Sequence, residues 1–319
     1  PILNLLAISP IWQPFGDKRA ITPAGITLKV PAGRYAVGDL VRVHDHNGVA
    51  FLGEGAAQTT LFSPRGAPSL NLEFLGVPDS LVVDLHLAGN ALPEGFGFAF
   101  RNPRLLFTSP ISQTQINDPW GGYWGSGGIA FVTSERARVR DVLLEDILAP
   151  VVIIHSAAHD CWLERVRVIR HAPKMDEPLP LLFWTAQASG GGAVDLDIDV
   201  PNLAVGLGVW NGSDGKEFTR VRSRNATCEL INAGSVAFRE CVFRLDPNAH
   251  EGMDGYFNAG YGMLQIDGPE VLVENVLLEQ TGPLNARGDL LPGICGYWNS
   301  RNLRVIGGCY STPPFTPNA

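Results

Sequence analysis

The sequence predicts an all-β chain wound as a parallel β-helix, a solenoid with long loops on one side. Three observations carry that expectation. An apolar triple recurs, with two residues between its first and second members and one between its second and third. Turn clusters stand just before many copies. Copies are separated by about 20–24 residues, or by multiples or extensions of that interval, which is a solenoid's signature.

The triples are Val82, Leu85, Leu87; Val139, Val142, Leu144; Leu163, Val166, Val168; Phe238, Cys241, Phe243; and Val273, Val276, Leu278. Phe218 and Val221 make a weaker copy that ends at Ser223. The last two members alternate as a strand does, and the first sits across a small bend. SER (134–136), GSDG (212–215), NAGS (232–235), DGPE (267–270) and NSRN (299–302) are the turns. A second apolar strand follows after a variable gap: VVIIHS, LLFW, LAVGLGVW, YGMLQI, ICGYW. Val139 to Leu163 is 24 residues and Phe218 to Phe238 is 20. Leu163 to Phe218 is 55, which fits two turns, and Phe238 to Val273 is 35, one turn plus an insertion. No single turn buries its apolar face alone, but coils stacked at about 4.8 Å supply hydrogen-bond partners above and below. A leucine-rich repeat would show LxxLxLxxN at fixed period, and a sandwich would show hairpin turns such as Asn-Gly. The expected division is a short N-terminal cap over residues 1–25, a coil over 26–310 and a tail over 311–319, because an open solenoid end needs covering.

VPAGRYAVGDLVRV (30–43) followed by GVAFLGEGAAQTTLF (48–62) resembles the first turns of pectate-lyase-like right-handed β-helix proteins, where a pPGtY segment precedes GvtlrGeG…TvL. The close match covers roughly residues 26–62 and the looser pattern reaches about 310. The resemblance implies a single-stranded right-handed parallel β-helix. The superfamily includes polysaccharide lyases, glycoside hydrolases, epimerases, fructan transferases and phage tailspikes, so it implies no single activity. The N-T-D, Asp-Asp, G-H-G and R-I-K strings of the polygalacturonase-like branch are missing, as is the RxPxxRxG segment of the main pectate-lyase branch. HDCWLERV (159–166) only loosely matches that branch's W-I-D-H strand. No catalytic residue transfers from either branch.

Bulk composition fits a folded, turn-rich chain. Of 319 residues, 45% are hydrophobic and 18% charged, with 36 Gly and 24 Pro. A net charge of -8 argues against nucleic acid as a partner. No apolar run reaches the ~20 residues a membrane span requires, so no membrane partner is expected. The opening PILNLLAISPIWQPFGDKR shows no basic n-region or long apolar core. An extracellular or periplasmic place is the expectation. Cys161, Cys228, Cys241, Cys295 and Cys309 are odd in number and far apart, and read as buried thiols rather than a disulfide or zinc framework.

The long insertions share one phase of the coil and should wall a groove. They are QTQINDPWGGYWGSGG (113–128), HAPKMDEPLP (171–180), DPNAHEGMDGYFNAG (246–260) and QTGPLNARGDLLPG (280–293), with AGNALPEG shortly before Phe96. Trp120, Tyr123 and Trp124, mounted among glycines beside Asp118, suit stacking on sugar rings. Tyr256, Trp184, Trp298 and an outward His155 are further candidates for substrate contact, although Trp184 and His155 also fit a core. The catalytic candidates are Lys174, Asp176 and Glu177 in one loop, His250, Glu251 and Asp254 in another, and Arg287 opposite the second. Glycoside hydrolysis needs two carboxylates. Lytic elimination needs a base and a cation that stabilises the uronate carboxylate. No metal or other cofactor is expected as obligatory. Calcium is conceivable on Asp195, Asp197 and Asp199, read as one strand face, and His44 and His46 of an HDH string read as surface decoration.

Two functions fit. One is a carbohydrate-active enzyme that cleaves or rearranges a poly- or oligosaccharide in the groove, as a polysaccharide lyase or a glycoside hydrolase/transglycosylase. The other is a non-catalytic glycan-binding or tailspike-like β-helix. The mixed Arg/Glu exteriors of LERVRVIR and FTRVRSRN lack the apolar stripe of a fibrous trimer. Monomer and homo-oligomer both remain open.

Overall fold

In a computed structural model, the structure describes residues 25–37, 41–44, 46–62, 72–89, 128–147, 150–171, 180–247, 249, 262–283, 290–296 and 299–312. They form a right-handed parallel β-helix. Every strand pairing among them is parallel, and each strand pairs with its counterpart one coil away. The first sheet runs through ten strands from Ile26–Lys29 to Asn302–Ile306. The second runs from Gly33–Ala36 through His86–Ala88, Leu143–Glu145, Arg167–Ile169, Val242–Leu245 and Leu277–Gln280 to Cys309–Ser311. The third includes Leu72–Leu75, Ile129–Val132, Val152–His155, Leu182–Trp184, Leu264–Ile266 and Ile294–Gly296. Asp197–Trp210 and Arg222–Ile231 bend from the second sheet into the third without a break, so hydrogen bonding fuses the two.

The bend inside each triple is a single left-handed residue. Asp84, Asp141, Arg165, Asp195, Arg220, Glu240, Asn275 and Gly307 occupy it, with φ of 51° to 64°. Such a φ is strained for a residue with a Cβ. The strain is offset because the corner N–H stays on the inter-coil ladder: Asp141 N donates to Glu164 O (3.0 Å), Arg165 N to Val194 O (2.9 Å) and Asn275 N to Ile306 O (2.8 Å). The register confirms the spacings. Val139, Leu163, Ala193, Phe218, Phe238 and Val273 are successive partners on the first sheet, so the 55-residue interval is two coils.

Side chains at one phase stack on themselves. Phe218 lies on Phe238 with ring centroids 5.2 Å apart and planes at 16°, and Phe74 lies on Phe131 at 5.1 Å and 27°. Outside, the same repetition builds charge ladders. Arg165 holds Asp141 through contacts of 2.6 and 2.8 Å, and Arg220 holds Asp195 at 2.6 and 2.9 Å. Buried Asn225 ties three coils at the second-to-third corner: its Nδ2 donates to Val200 O (3.0 Å) and its Oδ1 accepts from Asp246 N (2.8 Å). Residues 1–24 and 313–319 lie outside the described residues, so the expected cap and most of the tail do too.

The interior stack should dominate stability. Phe238→Ala should cost about 3–5 kcal/mol in equilibrium denaturant unfolding. Asp197→Ala, which loses an exposed pair with Arg167, should cost no more than about 1 kcal/mol. The reverse order would contradict this account of the fold.

Candidate functional site

Three of the long insertions leave from the second sheet and re-enter at the third. The 171–180 segment joins Arg167–Ile169 to Leu182–Trp184, 246–260 joins Val242–Leu245 to Leu264–Ile266, and 280–293 joins Leu277–Gln280 to Ile294–Gly296. The last two span adjacent coils, since their flanking strands pair in register. Buried Gln280 closes the base of one insertion: its Nε2 donates to Gly282 O (3.0 Å) and its Oε1 accepts from Leu291 N (3.0 Å). Asp118, Trp120, Tyr123, Trp124, Lys174, Asp176, Glu177, His250, Glu251, Asp254, Tyr256, Arg287 and Trp298 lie outside the described residues.

Two candidates are described. Trp184 is not a sugar platform. It alternates inward with Ile154 and Val209, is 1% exposed, and packs edge-on against Phe218 at 5.2 Å in the core. His155 follows inward-facing Ile154 in its strand, so it faces out from the coil, yet only 5% of it is exposed. Burial lowers its pKa from 6.5 to about 4, so the ring is neutral near pH 7, and Nδ1 lies 2.7 Å from Ser156 Oγ.

The outward column of the third sheet runs Glu73, Ala130, Ile153, Phe183, Gly208, Glu229, Gln265, Cys295. After Glu73 it is apolar: Ala130, Ile153 and Phe183 form a buried outer cluster with Val132, and Leu75 and Trp210 pack against it. Phe183 meets the Trp210 ring edge-on at 4.7 Å. Gly208 leaves room for Pro180, the root of an insertion, to lie against the sheet; a Cβ there would come within 2.1 Å of the proline ring.

Polarity returns at Glu229 and Gln265, 5% and 4% exposed. Burial raises the Glu229 pKa from 4.5 to about 7. The Trp210 indole N–H opposes part of that rise without meeting hydrogen-bond geometry. Trp210 Nε1, Gln265 Oε1 and Asp267 Oδ1 are buried and have no hydrogen-bond partner among the described residues. Polar atoms of that kind around a carboxyl that carries its proton near neutrality suit a ligand rich in hydroxyls. Sequence reading missed Glu229. Its signal is the lone acid inside CELI, at the phase that Gln265 occupies in YGMLQI one coil on.

Arginines stand beside all three acids of the calcium candidate. Asp195 is the left-handed corner residue, paired with Arg220, whereas Asp197 and Asp199 lie on the strand after it, paired with Arg167 and Arg224 at 3.1 Å each. Those carboxylates already have cations. A shallow depression of about 430 Å³ beside them, lined by Asp195, Asp197, Arg220 and Arg222, is walled in part by these pairs.

No family model matches the chain, and no curated protein sequence does. Solved structures show distant likenesses. A Geobacillus virus E2 protein, ORF18, is similar at 13% identity and a TM-score of 0.39 over 82% of this chain and 43% of its own. The catalytic domain of a GH87 alpha-1,3-glucanase in complex with nigerose is similar at 9% identity and a TM-score of 0.30 to 0.33, over 88% of this chain and 63% of its own. The Azotobacter vinelandii mannuronan C-5 epimerase AlgE4 A-module is similar at 12% and 0.30, over 92% and 90%. The chain thus spans less than two thirds of the virus protein and of the glucanase domain, and at these scores the likenesses carry no argument about chemistry.

Glu229 and His155 should give opposite pH slopes. The Glu229 pKa is higher folded than unfolded, so its contribution is fully present below about 4.5 and is lost as pH rises through about 7. The loss is on the order of 3 kcal/mol. For His155 the folded pKa is depressed, so stability is lost as pH falls from 6.5 toward about 4. Urea midpoints of wild type and Glu229→Gln across pH 4–8 isolate the first slope. Parallel curves would contradict the buried acid.

Proposed function

We propose that this chain is a carbohydrate-active enzyme that binds a poly- or oligosaccharide against the outer face of the third sheet and cleaves its glycosidic bond by acid/base catalysis. Glu229 donates the proton to the leaving oxygen. The observation that carries this reading is a carboxyl held protonated near neutrality by burial, beside the Trp210 ring, at the corner where the insertions return to the coil. General acids need a pKa near the working pH.

A second carboxylate completes the pair. The insertion bearing Glu251 and Asp254 re-enters at Leu264, whose neighbour Gln265 pairs with Glu229. Either acid serves as base or nucleophile in this reading. Trp120, Tyr123 and Trp124 supply sugar stacking. Hydrolysis or transglycosylation is favoured over elimination because the third-sheet residues Gly208, Trp210, Glu229, Ile231, Gln265 and Asp267 include no lysine or arginine to hold a uronate carboxylate.

The test is a panel of neutral and acidic glycans followed by reducing ends and 235 nm absorbance together. Reducing ends should rise without a 235 nm product, with the basic limb of the rate profile near pH 7. Glu229→Gln should lower kcat by about 10²–10⁴-fold while oligosaccharide binding persists. Full turnover in that variant removes Glu229 from the chemistry. Binding without turnover in wild type points instead to a non-catalytic glycan-binding coil.

A further inference from the structure

A second cluster sits on the second sheet, where the chain turns toward the third. It draws on three successive coils: His86 from His86–Ala88, Glu145 and Asp146 at the end of Leu143–Glu145, and His171 just after Arg167–Ile169. His86 Nε2 lies 2.8 Å from Glu145 Oε2. His171 Nδ1 lies 3.0 Å from Asp146 Oδ2 and 3.7 Å from Glu145 Oε1. We propose that His86, Glu145, Asp146 and His171 form a binding site for a divalent transition-metal ion.

Convergence comes first. One ligand atom each from Glu145, Asp146 and His171 lies within 4.8 Å of the others. A tetrahedral ion holds its ligands roughly 3.4 Å apart, so side-chain rotations bring Glu145, Asp146 and His171 to that spacing, and His86 joins them beside Glu145. Coil stacking supplies this, since residues at one phase of neighbouring coils stand about 4.8 Å apart.

The state of His86 comes second. Its Nε2 is shut off from solvent and makes no aligned hydrogen bond, despite the 2.8 Å approach to Glu145. On the other side of the ring, Nδ1 lies 3.3 Å from Thr60 Oγ1. When Nδ1 carries the proton and donates to that hydroxyl, the Nε2 lone pair faces a carboxylate oxygen. That contact repels unless a cation lies between them, and an orienting partner on the far nitrogen is how metal-ligating histidines are set.

Asp146 is oriented too. It takes a left-handed φ of 49°, and its Oδ1 accepts the His171 backbone N–H at 2.8 Å, leaving Oδ2 for the ion. Two imidazoles with two carboxylates select zinc, cobalt, nickel or manganese over calcium, whose ligands are oxygens. His171 opens the 171–180 insertion and is 63% exposed at its side chain, so an ion can enter. Bound there, it anchors that insertion to two earlier coils. The site stands independently of the proposed chemistry at Glu229.

The experiment is titration of the full chain, stripped with chelator, with Co2+ followed by visible d–d absorption, then displacement by Zn2+ and Ca2+. One equivalent should bind, Zn2+ should displace it and Ca2+ should not. His171→Ala should weaken binding at least about tenfold, and His86→Ala/His171→Ala should abolish it, with far-UV circular dichroism unchanged. His171 is exposed enough for its single variant to keep the test decisive if the double variant misfolds. No d–d bands in wild type, unchanged affinity in His171→Ala, or equal displacement by Ca2+ would each overturn the site; the first would leave protons alone holding the cluster together.

Discussion

The fold depends on one backbone constraint. From the strand Leu81–Val83 onward the chain must turn from the first sheet to the second across a single residue without dropping its N–H off the inter-coil ladder. Only a left-handed φ achieves this, and it costs on the order of 1–3 kcal/mol for a residue with a Cβ. Each coil recovers that cost through the corner hydrogen bond and the apolar pair that flanks it. Once the corner is set, inward and outward positions follow on both sheets. A change of one residue between corners would turn the flanking side chains inside out. The constraint therefore also fixes which outer groups stand over one another.

Function inherits that alignment. From the strand Leu81–Val83 onward the first-to-second corner carries no insertion in the described coils, and charged corner residues pair up the stack, as with Asp141 and Arg165. At the second-to-third corner the chain is free to lengthen, because coils with no insertion pass it as continuous bent strands. Insertions therefore accumulate there and fall beside the outer face of the third sheet. Burial on that face acts on two titratable groups in opposite directions. It raises the pKa of Glu229 and lowers that of His155, and both are favoured neutral.

The coil was legible in the sequence because the triple is a direct image of the corner. Val139, Val142 and Leu144 are all interior, and the residue before Val142 is the left-handed one. The shared phase of the insertions was legible for the same reason. Trp184 misled because an aromatic in a short apolar strand reads alike on either face until the register with Ile154 and Val209 is known. Glu229, and the set of His86, Glu145 and His171, were hidden for a related reason. Glu229, His86 and Glu145 are polar residues in ordinary strands and His171 lies just past one, and only stacking across coils of unequal length brings their partners beside them.

The scarcity of lysine follows from the same stacking. The chain carries 24 basic residues, yet only Lys18, Lys29, Lys174 and Lys216 are lysines. An outward cation on the coil meets a carboxylate one coil away, and a planar guanidinium reaches both oxygens of that carboxylate, as Arg136 does with Asp79 at 2.7 and 2.9 Å. A point-like ammonium cannot form that fork. Lys216 has a different place: it is 1% exposed, its ammonium donates to Gly190 O, and burial lowers its pKa to about 8. Many of the arginines are thus committed to ladders on the first and second sheets, as Arg138, Arg165, Arg220 and Arg224 are. Positive charge is used to hold coils together, and the described third-sheet residues around Glu229 include no lysine or arginine.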